Sequence, residues 1–194
     1  YASHLKTIVK GCVDFGFLVR NPFSNFKLKD TEVKKEFLVE YEISLLINTE
    51  IQKVRLSEVR DIFVFCCFTG LSYSDVKSLN PSDIEKDIQV DWISKCRKKT
   101  GGEFRIPLLK KVIRDILYKY KDHPECINSN ILLPVLSNQK MNKYLKEIAL
   151  ICGIKKHLTT HIARHTFATL FLEKGVTLSS VQKFLGHKSI KTTQ

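Results

Sequence analysis

Residues 56–68 constrain the fold more than any other segment, because their second half is apolar on every side. Ile62 to Phe68 is an unbroken apolar run, and a helix that is apolar all round has to be buried. Thr69-Gly70-Leu71 follows, and a glycine readily takes the left-handed conformation that ends a helix. We therefore expect a central buried helix with other elements packed around it.

The remaining apolar residues mostly recur at helical spacing. They predict helices over residues 5–19, around Phe37 to Leu46, from Ser74, and over 110–120, 138–152, 160–174 and 178–185. Residues 88–93 and 103–108 are short extended runs joined by a Lys- and Gly-rich turn, which predicts a β-hairpin. The expected fold class is mainly α with a small antiparallel hairpin or sheet (α+β).

The segment 26–35 is polar and charged, as linkers are. We expect a domain boundary near residue 30. Residues 1–30 would then be the last helix of an upstream domain with its linker, and residues 31–194 a second domain.

The net charge of +12 is unevenly distributed. Residues 95–121 hold ten basic and two acidic side chains, a net of +8, and residues 155–194 hold seven and one, a net of +6. The rest of the chain is therefore at about −2, since 12 − 14 = −2. Two basic segments in an otherwise near-neutral chain favour a surface that binds nucleic acid over an ordinary solvated face.

Six scattered cysteines without a C-x-x-C pair indicate reduced, buried thiols rather than a disulfide framework. No apolar run approaches the ~20 residues of a membrane span. We expect no membrane association and a cytoplasmic, bacterial location.

His161 and Arg164 begin a predicted helix and lie three residues apart, on one face. An arginine can grip two phosphate oxygens, and a histidine can carry a proton near neutral pH. His161 and His165 also have the spacing of a metal-binding pair, but no third ligand is evident, so we expect no metal and no cofactor. Downstream, His187 follows the predicted helix end at Gly186, and Lys99 lies at the hairpin turn.

Four motifs occur in a fixed order: Thr69-Gly70-Leu71 with Asp75, Lys99-Thr100-Gly101 before Ile106-Pro107-Leu108, His161-x-x-Arg164-His165-Thr166-Phe167-Ala168-Thr169, and Leu185-Gly186-His187. Together they resemble the tyrosine recombinase (phage integrase) family, especially the integrases of conjugative transposons. The resemblance covers about residues 36–194, and residues 1–30 resemble the last helix of that family's core-binding domain.

The resemblance implies a role for each motif residue. Arg164 would bind the scissile phosphate and stabilise its transition state, and His161 would act in proton transfer. His187 would donate a hydrogen bond to a phosphate oxygen, and Lys99 would be the general acid for the leaving 5′ oxygen. Asp75 would occupy the family's acidic position, which supports the residues of the site without contacting the phosphate itself. The implied partners are double-stranded DNA and other protomers in a DNA-bound tetramer.

The family's spacing places its nucleophilic tyrosine nine residues after His187, two positions beyond Gln194. The resemblance therefore implies a 3′-phosphotyrosyl intermediate that this stretch of chain cannot form itself. We expect the 194 residues to bind DNA without cleaving it. Without DNA, and without the C-terminal segment through which the family's protomers join, we expect a monomer.

The family's first motif carries an arginine where this chain has Ser72. A serine brings no charge to a phosphate, and losing such a donor costs on the order of 10²–10³ in rate. Arg60 and Lys77 are candidate substitutes, although Arg60 is equally explained as an ion-pair residue beside Asp61 or Glu58.

Three other functions remain open from the residues. One is a recombinase-like DNA-binding protein that lacks catalytic activity because Ser72 replaces the arginine. The second is a type IB topoisomerase, which uses similar chemistry, and the third is a plain helical transcription factor. The motif combination favours a site-specific recombinase over all three.

Overall fold

A computed structural model describes residues 2–26, 36–96 and 102–186. The chain divides into two compact units, residues 1–34 and residues 35–194. Within the described ranges, no helix combines the length and apolar character needed to cross a membrane.

In the described part of the first unit, residues 2–26, the chain forms one helix, α1 (Ala2–Asp14). We predicted it over residues 5–19, so it begins three residues earlier and ends five residues earlier. Gly16 has a φ of +78°, which turns the chain away from the helix axis. Phe15 and Phe17 beyond the helix are about four-fifths exposed, so these two apolar residues, which extended the prediction, are not part of a buried helix face.

The second unit is mainly helical, as the apolar spacing predicted. Its helices are α2 (Glu40–Asn48), α3 (Val54–Thr69), α4 (Tyr73–Lys77), α5 (Lys111–Tyr120), α6 (Pro124–Ser129), α7 (Asn138–Ile151), α8 (Thr160–Glu173) and α9 (Leu178–Leu185). The bounds agree with the predicted ones to within a few residues, except that α6 was not predicted.

The predicted central helix is α3, which is buried from Asp61 to Cys67. Helices α2, α5, α7 and α8 all pack against it, and α8 makes the most extensive contact. Asp61 is the single charged residue in this buried stretch. Its carboxylate accepts hydrogen bonds from Arg60, Lys119 and Tyr120, which offset the cost of burying a charge.

A three-stranded antiparallel sheet joins α4 to α5, in the order β1 (Ile84–Glu85), β2 (Trp92–Cys96) and β3 (Glu103–Pro107). The hairpin prediction is confirmed for β3. It is wrong for the preceding strand, which begins at Trp92 rather than at Ile88, because the register pairs Trp92 with Pro107 and leaves Ile88 fully exposed.

The two faces of the sheet differ in character. Ile93, Phe104 and Ile106 are buried against the helices. Trp92 and Arg105 lie on the opposite face, where the guanidinium carbon of Arg105 is 4.5 Å from the centroid of the Trp92 ring.

The cysteines are all free thiols. Four of them are buried, as predicted: Cys66, Cys67, Cys126 and Cys152. The prediction is wrong for Cys96, which is exposed at the end of β2.

Candidate functional site

The start of α8, where His161 and Arg164 lie, is fixed from two directions. The Thr159 side chain caps the helix by accepting a hydrogen bond from the backbone N–H of Ile162. From α7, the Asn142 side-chain oxygen accepts from the backbone N–H of Thr160 at 2.9 Å. The Thr160 hydroxyl in turn donates to the Asn138 side-chain oxygen at 3.0 Å. These contacts set the position of the first turn of α8.

Arg164 is half-buried and reaches two backbone carbonyl groups with its guanidinium. One terminal nitrogen donates to the carbonyl oxygen of Gly70 at 2.7 Å, and the other donates to the carbonyl oxygen of Leu185. The planar group is therefore held between the end of α3 and the end of α9. A guanidinium fixed in orientation in this way is suited to binding an oxyanion.

Gly70 lies where the end of α3 approaches α8 and α9. Its φ of +66° lies in the left-handed region, and it ends α3. A Cβ at this position would lie 2.6 Å from Phe167 Cδ1 and 2.9 Å from Leu185 Cδ2. Glycine is required here both by the backbone conformation and by the contact with α8 and α9.

His161 is exposed beside Arg164, at the beginning of α8. Its ring meets that of His165 edge to face, with centroids 4.4 Å apart and an interplanar angle of 82°. Because His161 and Arg164 are three residues apart on one helix, they lie on the same side of α8. The structure thus places His161 and Arg164 on one side of the first turns of α8, as their spacing predicted, and the roles predicted for them stay predictions.

Ser72 and Asp75 form the turn that begins α4. The Ser72 hydroxyl donates to Asp75 Oδ2 at 2.7 Å, and the same carboxylate oxygen accepts from the Ser72 backbone N–H at 3.4 Å. Asp75 is buried. The position where the family has an arginine is therefore occupied by a hydroxyl that holds the local turn together.

Burial raises the pKa of the neighbouring Cys66 thiol to about 12, and the Asp75 carboxylate contributes to the same shift. The Cys66 thiol is therefore protonated at neutral pH and is not a nucleophile.

Arg60 is bonded where the end of α2 meets α3. Its guanidinium donates to the carbonyl oxygens of Leu46 and Thr49, each at 3.0 Å, and to Asp61 at 2.7 Å. It closes the C-terminal end of α2 against α3, and its ion pair with Asp61 matches the alternative raised from the sequence, whereas its role as a substitute cation stays a prediction. Lys77 is exposed, with its ammonium 5.6 Å from the Tyr73 ring centroid.

Two of the predicted site residues, Lys99 and His187, lie outside the described residues. The strand ends that flank Lys99 are Cys96 and Glu103, and Gly186 precedes His187. Among the residues that the structure describes, no group of three His, Cys, Asp or Glu side chains is arranged to hold a metal ion.

Sequence reasoning missed the two carbonyl groups that hold Arg164, since a backbone oxygen leaves no mark on residue type. It also missed Thr166, whose fully buried hydroxyl accepts a 2.9 Å hydrogen bond from the backbone N–H of Leu38. This contact ties the first described residues of the second unit to the middle of α8. A threonine among the apolar residues of a buried helix face was the available signal.

Comparison with known proteins shows what this architecture resembles. Residues 36–194 match the profile of the phage integrase family. The tyrosine recombinase XerC of Chlamydia muridarum (strain MoPn / Nigg) is 29% identical over 203 residues, covering 98% of this chain and 63% of that protein. The chain thus spans less than two thirds of the length of this relative.

Two solved structures share the fold. A lambda integrase dimer bound to a COC′ core site superposes with a TM-score of 0.77 at 19% identity, covering 98% of this chain and 69% of that one. The Tn1549 transposon integrase in complex with a circular intermediate DNA gives a TM-score of 0.71 at 20% identity, covering 97% and 70%. The mainly helical fold with a small antiparallel sheet, expected from the motifs, is confirmed.

Proposed function

The chain belongs to the phage integrase family, and from this membership we propose that it is the catalytic part of a tyrosine-type site-specific recombinase that breaks and rejoins DNA. The observation that carries the proposal is the pairing of His161 with a backbone-held Arg164 at one end of α8. The two basic segments support DNA as the substrate, because phosphate neutralisation dominates affinity for DNA.

In the proposed reaction, Arg164 binds the scissile phosphate and stabilises the charge that develops on its oxygens. The nucleophile is the tyrosine that the family's spacing predicts two positions beyond Gln194. Its oxygen attacks phosphorus, the bond to the 5′ oxygen breaks, and Lys99 gives a proton to that leaving oxygen. His161 takes the tyrosine proton, and His187 donates a hydrogen bond to a phosphate oxygen.

The product of this step is a 3′-phosphotyrosyl bond, which keeps the energy of the phosphodiester. A 5′ hydroxyl from a second strand then attacks phosphorus and releases the tyrosine. No net hydrolysis occurs, so the cycle consumes no nucleotide triphosphate. We propose that several protomers on DNA perform it together and that the parent gene belongs to a mobile element, as the Tn1549 integrase does by its name.

The test uses a chain continued through the predicted tyrosine and a nicked duplex carrying the element's attachment site. A covalent protein–DNA product on a denaturing gel, lost in Arg164→Ala and kept in Arg55→Ala at the exposed start of α3, outside both basic segments, is the expected result. Tight, salt-sensitive binding in a native gel without the covalent product would contradict strand cleavage.

A specific observation favours a second candidate, a DNA-binding protein that has lost the reaction. The Ser72 hydroxyl carries no charge and is bonded to Asp75, and the Arg60 guanidinium is engaged at the end of α2. If the covalent product is absent from the unaltered protein but appears in Ser72→Arg, the disarmed alternative is correct.

A further inference from the structure

A groove of about 550 Å³ lies between the sheet and α9, next to the candidate site. Trp92, Ser94, Arg105, Lys183, Phe184 and Gly186 are among its lining residues. Gly186 directly follows Leu185, whose carbonyl oxygen holds Arg164. The groove therefore begins one residue from the carbonyl group that holds Arg164, the residue that we propose to bind the scissile phosphate.

The lining of the groove combines aromatic, cationic and hydrogen-bonding side chains. Phe184 and Trp92 offer aromatic surface, and Lys183 is an exposed cation on α9. Ser94 and Glu103 add a hydroxyl and a carboxylate that can pair with polar edges. Aromatic surface combined with cations and hydrogen-bonding groups is what proteins use to hold nucleobases outside a duplex.

Arg105 is held between Trp92 and Glu85 in this groove. Its guanidinium lies 4.5 Å from the Trp92 ring centroid on one side, and two of its nitrogens each approach Glu85 Oε2 at 3.1 Å. A guanidinium fixed on an aromatic ring presents a planar surface on which a base can stack. The volume is within the range of pockets that hold small molecules, so a base with its sugar fits.

We infer that this groove binds one unpaired nucleotide of the DNA strand next to the scissile phosphate. The inference rests on the proposed function and deepens it. A strand that is cut in one duplex and joined to another has to leave its old base partners first, so unpaired nucleotides must arise beside the cut. A base held between Arg105 and Phe184 is kept from pairing again with its old partner while the strand is transferred.

The test compares two duplexes of the same sequence and the same number of phosphates, one fully paired and one with a single abasic position that leaves the opposite base unpaired. With the 194-residue chain, we expect the duplex with the unpaired base to bind about 5- to 100-fold tighter, in line with the stacking of one base on an aromatic or guanidinium surface. Trp92 is the only tryptophan in the chain, so its emission reports on the groove, and we expect it to change with this duplex alone.

The variant Arg105→Gln/Lys183→Gln is expected to lose most of this preference, and Ser94→Phe, which fills the groove, is expected to abolish it. The matched control, Arg55→Gln/Lys86→Gln, removes two exposed cations outside the groove and outside both basic segments, and should keep the preference. Equal affinity for the two duplexes with unchanged Trp92 emission would overturn the groove inference and leave the proposed function standing. Failure to bind either duplex would overturn both.

Discussion

The guanidinium of Arg164 and the carbonyl oxygen of Gly70 are joined by a hydrogen bond of 2.7 Å. This bond links the helix that carries the candidate phosphate-binding residue to the left-handed turn that ends the most deeply buried helix. The geometry of the site therefore depends on a turn that only glycine can form without strain.

Gly70→Ala should lower the free energy of unfolding by about 2–4 kcal/mol, because it adds a strained φ and an overlap with Phe167 and Leu185. Urea unfolding measures the change. Gly153→Ala is the matched control: its φ of +68° is similar, but nothing lies within 4 Å of the added Cβ, so the expected loss is about 1–2 kcal/mol. Equal losses in the two variants would show that the contact with α8 and α9 is not tight.

Thr166→Val keeps the shape of the side chain but leaves the buried backbone N–H of Leu38 without its acceptor. An unsatisfied buried donor costs about 1–3 kcal/mol, and we expect that loss in thermal or urea unfolding. Thr169→Val, at a half-buried position on the same helix, should change stability by less than about 0.5 kcal/mol. A Thr166→Val protein as stable as the parent would contradict the structural role assigned to this hydroxyl.

Tyr120→Phe should cost more stability than Lys119→Met, although both side chains donate to the same carboxylate oxygen of Asp61. The Tyr120 hydroxyl bond is buried, and a hydrogen bond to a charged group contributes about 1.5–3 kcal/mol. The Lys119 side chain is about half exposed, so its ion pair contributes only about 0–1 kcal/mol. Urea denaturation of the two variants gives the order, and the reverse order would refute this account.

Stability should fall as the pH rises above about 9. Burial raises the pKa of Cys66 to about 12 and that of Cys126 to about 11, whereas both thiols titrate near 9 in the unfolded chain. The unfolded state therefore loses protons first, so the stabilisation is complete below pH 9 and is lost towards pH 11–12. Burial and the Asp61 carboxylate also raise the pKa of Tyr120, which adds to the fall above pH 10.

Urea unfolding between pH 7 and pH 11 tests this dependence. Cys126→Ser should flatten the curve, whereas Cys96→Ser should leave it unchanged, because the Cys96 thiol is exposed in the folded state. A fall that is identical in all three proteins would mean that the buried thiols do not cause it.

The sequence predicted the long helices well and the short elements poorly. Helices α3, α7, α8 and α9 have clear apolar patterns or sharp glycine ends. Helix α6 has six residues and is capped by the Nδ1 atom of His123, an unusual cap with no sequence signature. The two-residue strand β1 exists only because it pairs with β2, which no local pattern could show.

Part of the candidate site could be predicted from the sequence, and part required the structure. Arg164 and His161 could be found because residue types at a helix start carry chemistry. The surroundings of Arg164 could not be found, because the groups that hold its guanidinium between α3 and α9 are main-chain oxygens. The engagement of Arg60 with the end of α2 also required the structure, since it depends on where α2 ends relative to α3.

The two carbonyl groups that hold Arg164 come from distant parts of the chain, 94 residues upstream and 21 residues downstream. Contacts between residues so far apart in sequence form slowly. Closing the loop between them costs conformational entropy, and the contact offsets this cost only once it has formed. A chain leaving the ribosome cannot complete them until Leu185 has emerged. A chain that has been synthesised only as far as α8 therefore lacks one of the two carbonyl groups that fix the Arg164 guanidinium.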